Sequence, residues 1–210
     1  MKELILIGGG GHARVLIEVV RVSGEFHLRG ILDPVLPAGQ EVSGVPVLGG
    51  DELLSTAEFS ESLVTIAFGL MRAGDRRQKL YESLIAKKHE FPVLRHPFSQ
   101  VASRVTISQG SQIMAGVVIQ PGGLIGVNAV INTGALIDHD CRIGDHVFIS
   151  PGAVLGGGVT LGDGSFIGLG ARLLPGVRVG PRATVGAGAV VTEEVPEGST
   201  VVGVPARRVS

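Results

Sequence analysis

The stretch IGVNAVINTGALIDHDCRI, residues 125–143, decides the fold of half the chain. Isoleucine opens it at Ile125 and returns at Ile131, Ile137 and Ile143. A small or modest side chain stands four places after each, at Ala129, Ala135, Cys141 and Val147. A period of six suits neither a helix of 3.6 residues per turn nor a strand that alternates every two. It suits a parallel β-helix of hexapeptide repeats. Outward from this stretch the aliphatic position runs down to Val101 and up to Val191, and the small position from Val105 to Val195, with no break in register.

Three hexads make one triangular coil, so residues 18 apart stack on the same spot of successive coils. The aliphatic residue i and the small residue i+4 then point inward, and i+5 points outward from a flat face. One face presents Val118, Leu136 and Val154, a second Val130, Phe148 and Phe166, and a third Leu124, Arg142, Thr160 and Arg178. Two faces are thus apolar outside as well as inside. Exposed apolar stripes of that size mark interfaces. Two of them meeting at one edge suit a closed threefold ring, which predicts a homotrimer. A monomer with one face covered by its other domain is the competing expectation.

At 210 residues the chain has room for one or two domains. A net charge of −1 gives no electrostatic case for nucleic acid or an anionic membrane. A narrow coil has no room for Trp, which accounts for the scarce aromatics. The single Cys cannot form an internal disulfide, the N-terminus is too short and charged for a signal peptide, and no apolar run is long enough to span a membrane. The expectation is a cytoplasmic protein.

Residues 1–95 read as an α/β domain and 96–210 as the coil with a C-terminal tail. Leu4 to Ile7 is a buried strand, Gly8 to Gly11 a loop, and His12 to Val22 a helix with its apolar spacing at Val15, Leu16, Val19 and Val20. A second strand runs from Gly30 to Asp33, and Val45-Pro46-Val47 is a short edge strand, since Pro suits an edge. Leu63 to Phe68 is a further strand. Arg76 to Lys88 is a helix with Leu80, Leu84 and Ile85 on one face. Alternating strands and helices imply a parallel sheet.

Asp138-His139-Asp140 interrupts the repeats with charge. His139 falls at i+2, an exposed corner, with Pro121 one coil below and Gly157 one coil above. The residues support two readings. One is an acyl-transfer site, with His139 as general base, Asp140 or Asp138 fixing its tautomer, and backbone amides near Gly157 stabilising a developing oxyanion. The other is a solvated corner histidine between turn-forming aspartates. His146, also at a corner, reads as a surface residue, His96 as a cap on the base of the coil and Cys141 as core filling. A metal-holding prism needs several convergent histidines, and only His139 and His146 lie in the repeats, so no metal is expected.

In the first half, Gly8, Gly10 and Ala13 match G-x-G-x-x-A between a strand and a helix, with Asp33 about 20 residues on. Alone this suggests NAD and an oxidoreductase, with the coil as an oligomerisation stem. The same turn is also good topology in itself, and it can cradle the diphosphate of a nucleotide sugar. The domain lacks a second half to hold nicotinamide, which favours the nucleotide sugar.

Three segments carry a resemblance: Asn132-Thr133-Gly134-Ala135, Asp138-His139-Asp140-Cys141, and the run from Gly152 through Gly156-Gly157-Gly158. With Ile7 to Ala13 and the tail Val202 to Arg207, they resemble the bacterial sugar acyltransferases of the sialic acid O-acetyltransferase group. That group includes the nucleotide-4-amino-sugar N-acetyltransferases. The resemblance implies a Rossmann-like domain followed by a left-handed parallel β-helix, assembled as a trimer with its sites between neighbouring prisms. It implies acetyl-CoA as co-substrate and transfer to the amine of a nucleotide-linked 4-amino-4,6-dideoxy sugar; transfer to a sugar hydroxyl is the close variant. His139 would be the general base and Asp140 its support. Gly157 would bind the thioester carbonyl, Ala187 the pantetheine arm, and Arg207 or Arg208 the coenzyme A phosphates. Gly8, Gly10, Gly11, His12, Asp33 and Gly69 would line the nucleotide-sugar pocket. Some relatives carry a second histidine where this chain has Phe148.

Overall fold

The computed structural model describes residues 1–59 and 62–209. They form two compact units: Met1–Gly69 with Lys79–Pro97, and Leu70–Gln78 with the chain from Phe98 onward.

The first unit is built on five strands: β1 (Lys2–Ile7), β2 (Phe26–Leu32), β3 (Glu41–Val42), β4 (Val45–Gly49) and β5 (Leu63–Ile66). Their order is β3-β4-β2-β1-β5. Leu4, Ile5, Leu6 and Ile7 are buried because β1 is paired in parallel on both sides, with β2 and with β5. Helix α1 (Gly11–Ser23) buries Ala13, Leu16, Ile17, Val19 and Val20. It stops at Gly24, whose left-handed backbone (φ 64°) lets its N–H close on the Val20 carbonyl. Helix α2 (Arg76–Ala86) departs from expectation. Tyr81 and Leu84 are buried while Ile85 is 36% exposed, because the Tyr81 ring packs on Phe91 with centroids 4.6 Å apart. Strand β4 is not an edge: β3 lies outside it. Pro46 is tolerated there because this short antiparallel pairing is closed by the Val47 N–H to the Gln40 carbonyl and asks nothing of residue 46.

The second unit is a parallel β-helix. Two-residue strands recur every six residues from Gln100–Val101 to Val190–Val191, in three flat sheets whose neighbours are one coil apart, as in Val118↔Leu136↔Val154. From Ile113 to Val191 every aliphatic i residue is buried, and from Ser111 to Val195 every i+4 residue is. From Arg104 to Gly188 the fourth residue of each hexad turns the corner in left-handed backbone. Gly fills most of these positions, for example Gly116, Gly134, Gly152 and Gly158 (φ 67–70°), since Gly alone does so without steric cost. Arg104, Asn128, Asp140, His146 and Arg182 are the exceptions, at φ 52–68°.

The expectation of two exposed apolar faces is corrected. Leu136 is 43% exposed, but Val130, Phe148 and Phe166 are buried, at 0%, 4% and 7%. The two Phe rings stack 5.7 Å apart. Segment Leu70–Gln78 packs as part of this unit, and the Ala73 N–H donates to Thr184 Oγ1 on the same sheet (3.2 Å). One apolar face is therefore covered by the chain itself, and the Val118–Leu136–Val154 face alone stays open.

Candidate active site

The corner at Asp138–Asp140 is assembled by the coil's register. Strand Leu136–Ile137 ends at Asp138, whose Oδ1 accepts the His139 N–H (2.8 Å) and holds the turn open. Asp140 occupies the left-handed position, and its N–H donates to the Pro121 carbonyl one coil below (3.0 Å). Aspartate tolerates that backbone better than most residues. Its side chain then reaches back to the ring it follows: Asp140 Oδ2 lies 2.9 Å from His139 Nδ1. A carboxylate only accepts, so Nδ1 carries a hydrogen and neutral His139 keeps its lone pair on Nε2. The ring is open to solvent, 62% exposed at the side chain. Its pKa is raised, first by the Asp140 hydrogen bond and then by the charge of Asp138.

One coil above, Gly157 faces the ring. A Cβ at Gly157 would fall 2.5 Å from His139 Nε2, so the ring keeps this position only against a bare backbone. The corner is a turn closed by the Val159 N–H on the Gly156 carbonyl, and the Gly158 N–H is taken by the His139 carbonyl (2.8 Å). Among the described residues the Gly157 N–H has no acceptor. A base with its lone pair free and an unspent amide donor thus sit at one corner, the pairing acyl transfer needs. Beside them a groove of about 320 Å³ runs along the open face past Leu136, Asp138, Val154 and Gly156.

The other expected residues fall in three places. Ala187 is an exposed corner residue between strands Thr184–Val185 and Val190–Val191. It lies at a different corner from Gly157, but the two bound the same open sheet. Arg207 and Arg208 are exposed on a short strand paired antiparallel with Thr200–Val202. Gly8, Gly10, Gly11, His12, Asp33 and Gly69 belong to the first unit. There β1 is the point at which the strand order reverses, and such carboxyl ends form ligand crevices. Gly8 (φ 106°) lies against the end of β5, where a Cβ would meet Phe68 and Ala67 at 3.4–3.5 Å. Gly10 and Gly11 open onto free space at the start of α1.

Asp33 has work that its spacing did not foretell. Its Oδ2 accepts the Gly9 N–H (2.7 Å), and its Oδ1 accepts from Val35 (2.9 Å) and Leu36 (3.1 Å). It shapes the glycine loop from within. His146 is also partnered, its Nδ1 3.0 Å from Asn128 Nδ2. Cys141 is fully buried, its thiol pushed up by burial. No group of three or more His, Cys, Asp or Glu comes together to hold a metal ion among the described residues, and none of their helices is long and apolar enough to cross a membrane.

With this geometry in place, comparison with known proteins is direct. Residues 3–84 match the PglD N-terminal domain, and residues 140–174 and 158–193 match the bacterial transferase hexapeptide of six repeats. A histidine-to-alanine variant of GDP-perosamine N-acetyltransferase from Caulobacter crescentus, solved with CoA and GDP-perosamine, superimposes with a TM-score of 0.93. It is 37% identical over 100% of this chain and 98% of its own. This chain belongs to the sugar N-acetyltransferase family. The family architecture, a Rossmann-like unit followed by a left-handed β-helix, is the one described above. Two further members of the sugar N-acetyltransferase family match over shorter stretches. UDP-N-acetylbacillosamine N-acetyltransferase of Bacillus subtilis (strain 168) is 34% identical over 55% of this chain and 52% of its own. GDP-perosamine N-acetyltransferase of Escherichia coli O157:H7 is 34% identical over 68% of this chain and 64% of its own. The matched stretches thus span under two thirds of these two relatives.

Proposed function

We propose that this protein transfers the acetyl group of acetyl-CoA to the amino group of a nucleotide-linked 4-amino-4,6-dideoxy sugar. The observation that carries the reading is the corner where Asp140, His139 and Gly157 converge. His139 Nε2 takes a proton from the sugar amine as its nitrogen attacks the thioester carbon. A C–N bond forms, the carbonyl electrons move to oxygen, and the Gly157 N–H donates to that oxygen. When the oxyanion collapses the C–S bond breaks, and the leaving thiolate takes the proton back from His139 as free CoA. A positioned base contributes about 10²–10⁴-fold and an oxyanion donor about 10²–10³-fold. Asp140 keeps the proton on Nδ1 and so keeps Nε2 available.

The relatives support the choice of substrates: the Caulobacter enzyme was crystallised with CoA and GDP-perosamine, and the curated relatives are named for UDP- and GDP-linked amino sugars. In this reading Gly8, Gly10, Gly11, His12 and Gly69 receive the nucleotide sugar, on a loop held in shape by Asp33. Ala187 borders the pantetheine arm, and Arg207 and Arg208 meet the coenzyme A phosphates. The open Val118–Leu136–Val154 face is the contact of a homotrimer, and the protein works in the cytoplasm.

Release of CoA thiol, followed across GDP-, UDP- and dTDP-linked 4-amino sugars, tests the reading. Turnover is expected with at least one of them and is expected to drop 10²-fold or more in His139→Ala. Silence across the panel, or a loss under about tenfold in the variant, overturns it. Acetylation of hydroxyl sugars alone would move the reading to O-transfer.

A further inference from the structure

Cys141 is the one cysteine of the chain, wholly buried at an inward i+4 position, where filling space would be reason enough for it. Its neighbours say more. The Sγ–H donates to the Gly156 carbonyl one coil above, at 3.3 Å. That carbonyl belongs to the peptide whose other end is the Gly157 N–H. The only other bond this oxygen accepts among the described residues is the long turn bond from the Val159 N–H, at 3.4 Å. The thiol therefore grips, from inside the coil, the same peptide plane that faces His139 outside it.

The coil supplies its own comparison. Ser111 stands at an equivalent inward position, and its Oγ–H donates to the Gly126 carbonyl 15 residues on, at 2.7 Å, the same offset as Cys141 to Gly156. Val159 and Val177 stand one and two coils above Cys141 in its own inward column, fully buried or nearly so, without a donor. Ser165, at the same offset from Gly180, keeps its hydroxyl buried without a partner among the described residues, so the offset alone does not make the bond; these inward positions take Ser, Cys or Val.

We propose that Cys141 is a positioning residue for acetyl transfer: its thiol fixes the Gly156–Gly157 peptide plane and, by polarising the Gly156 carbonyl, strengthens the Gly157 N–H as a donor to the oxyanion. It touches neither substrate. The proposal rests on the reading of Gly157 as that donor. Hydrogen bonds in a chain reinforce one another by about 10–30% each. Applied on a logarithmic scale to a donor worth about 10²–10³-fold, this amounts to about two- to eightfold in rate.

The test compares Cys141→Val, which removes the donor and places at 141 the residue its own column carries one coil above, with Cys141→Ser, which offers a hydroxyl donor of the kind Ser111 uses. Both are first checked for unaltered thermal unfolding. Cys141→Val is expected to lose about two- to eightfold in kcat with both KM values unmoved, and Cys141→Ser to recover most of it. Equal losses in Val and Ser, or none in Val, overturn the proposal. Two readouts need no turnover and separate its failure from a failure of the assigned activity. The infrared S–H stretch of the unliganded protein, assignable because there is a single Cys, is expected at the lowered frequency of a donating thiol. The Gly157 amide proton is expected to move upfield in Cys141→Val. A stretch at the free-thiol position, or an unmoved amide proton, refutes the proposal even if every sugar tried is inert.

Discussion

His139 and Gly157 occupy the same corner one coil apart, and the space beside the histidine's Nε2 is the space a side chain at 157 would need: a Cβ there would lie 2.5 Å from the ring nitrogen. The glycine is required by its neighbour and not by its own backbone, which is outside the left-handed region. Gly157→Ala should therefore fold with little loss of stability yet lose most acetyl transfer, because the ring must swing away. Gly158→Ala is the control. Nothing lies within 4 Å of its added Cβ, but its φ is +70°, so it should cost about 1–2 kcal/mol of stability and leave kcat closer to the parent. Thermal unfolding and steady-state kinetics on the two variants would separate these effects; equal activity losses would argue against the site.

Asp140→Asn should change the pH profile in a definite direction. The Asp140 hydrogen bond is the largest cause of the raised His139 pKa, with the Asp138 charge second. Removing the carboxylate lowers that pKa part of the way toward its ordinary value. The working form is the neutral base, which then persists to lower pH. The acid limb of kcat/KM should accordingly shift to lower pH, measured over about pH 5 to 9, while the plateau falls because the base is weaker and its tautomer less firmly held. A limb that stays in place would mean that His139 is not the titrating group.

Much of this corner is legible in the sequence. A six-residue period converts sequence distance into spatial stacking, so His139 and Gly157 had to meet, and the inward positions from Ile113 to Val191 follow the same arithmetic. What stayed hidden lacks a period. Ala73 and Thr184 are joined across 111 residues by one amide and one hydroxyl, and nothing in either local pattern signals the pairing. For the same reason the outward Phe148 and Phe166 read as solvent-facing when the 70–78 segment packs in their unit. Asp33 shows a different limit. Its spacing from the glycine loop was visible, but the same spacing serves a ligand's hydroxyl or the loop's own amides, and only geometry distinguishes them. At Cys141 the offset to Gly156 is visible but does not decide: Ser111 makes the equivalent bond to Gly126, whereas Ser165, at the same offset from Gly180, leaves its hydroxyl without a partner among the described residues.

Phe148→Ala tests the covered face. On an exposed face the change would cost little; buried at 4% and stacked on Phe166, it should destabilise by about 3–5 kcal/mol, read from denaturant unfolding. Leu136→Ala, on the open face, should cost clearly less in the monomeric unit, and an effect on subunit association, seen by sedimentation, would identify that face as the contact.

Asp33→Ala should loosen the glycine loop and the turn after β2 together, by withdrawing the acceptor of the Gly9 amide and of the Val35 and Leu36 amides. We expect the KM for the nucleotide sugar to rise while the KM for acetyl-CoA holds, with a stability loss of about 1–3 kcal/mol. A variant with both KM values unchanged would show that the loop keeps its shape without the carboxylate.

The left-handed corner at Asp140 sets a trade-off for anyone who would improve this protein. Most hexads put Gly in that conformation and give up nothing; this one holds an aspartate at φ 58°. Asp140→Gly is thus a change that a selection for heat resistance alone would tend to favour, and it would discard the group that orients His139. Robustness and turnover compete at a single position, and libraries built on this scaffold should hold residue 140 fixed.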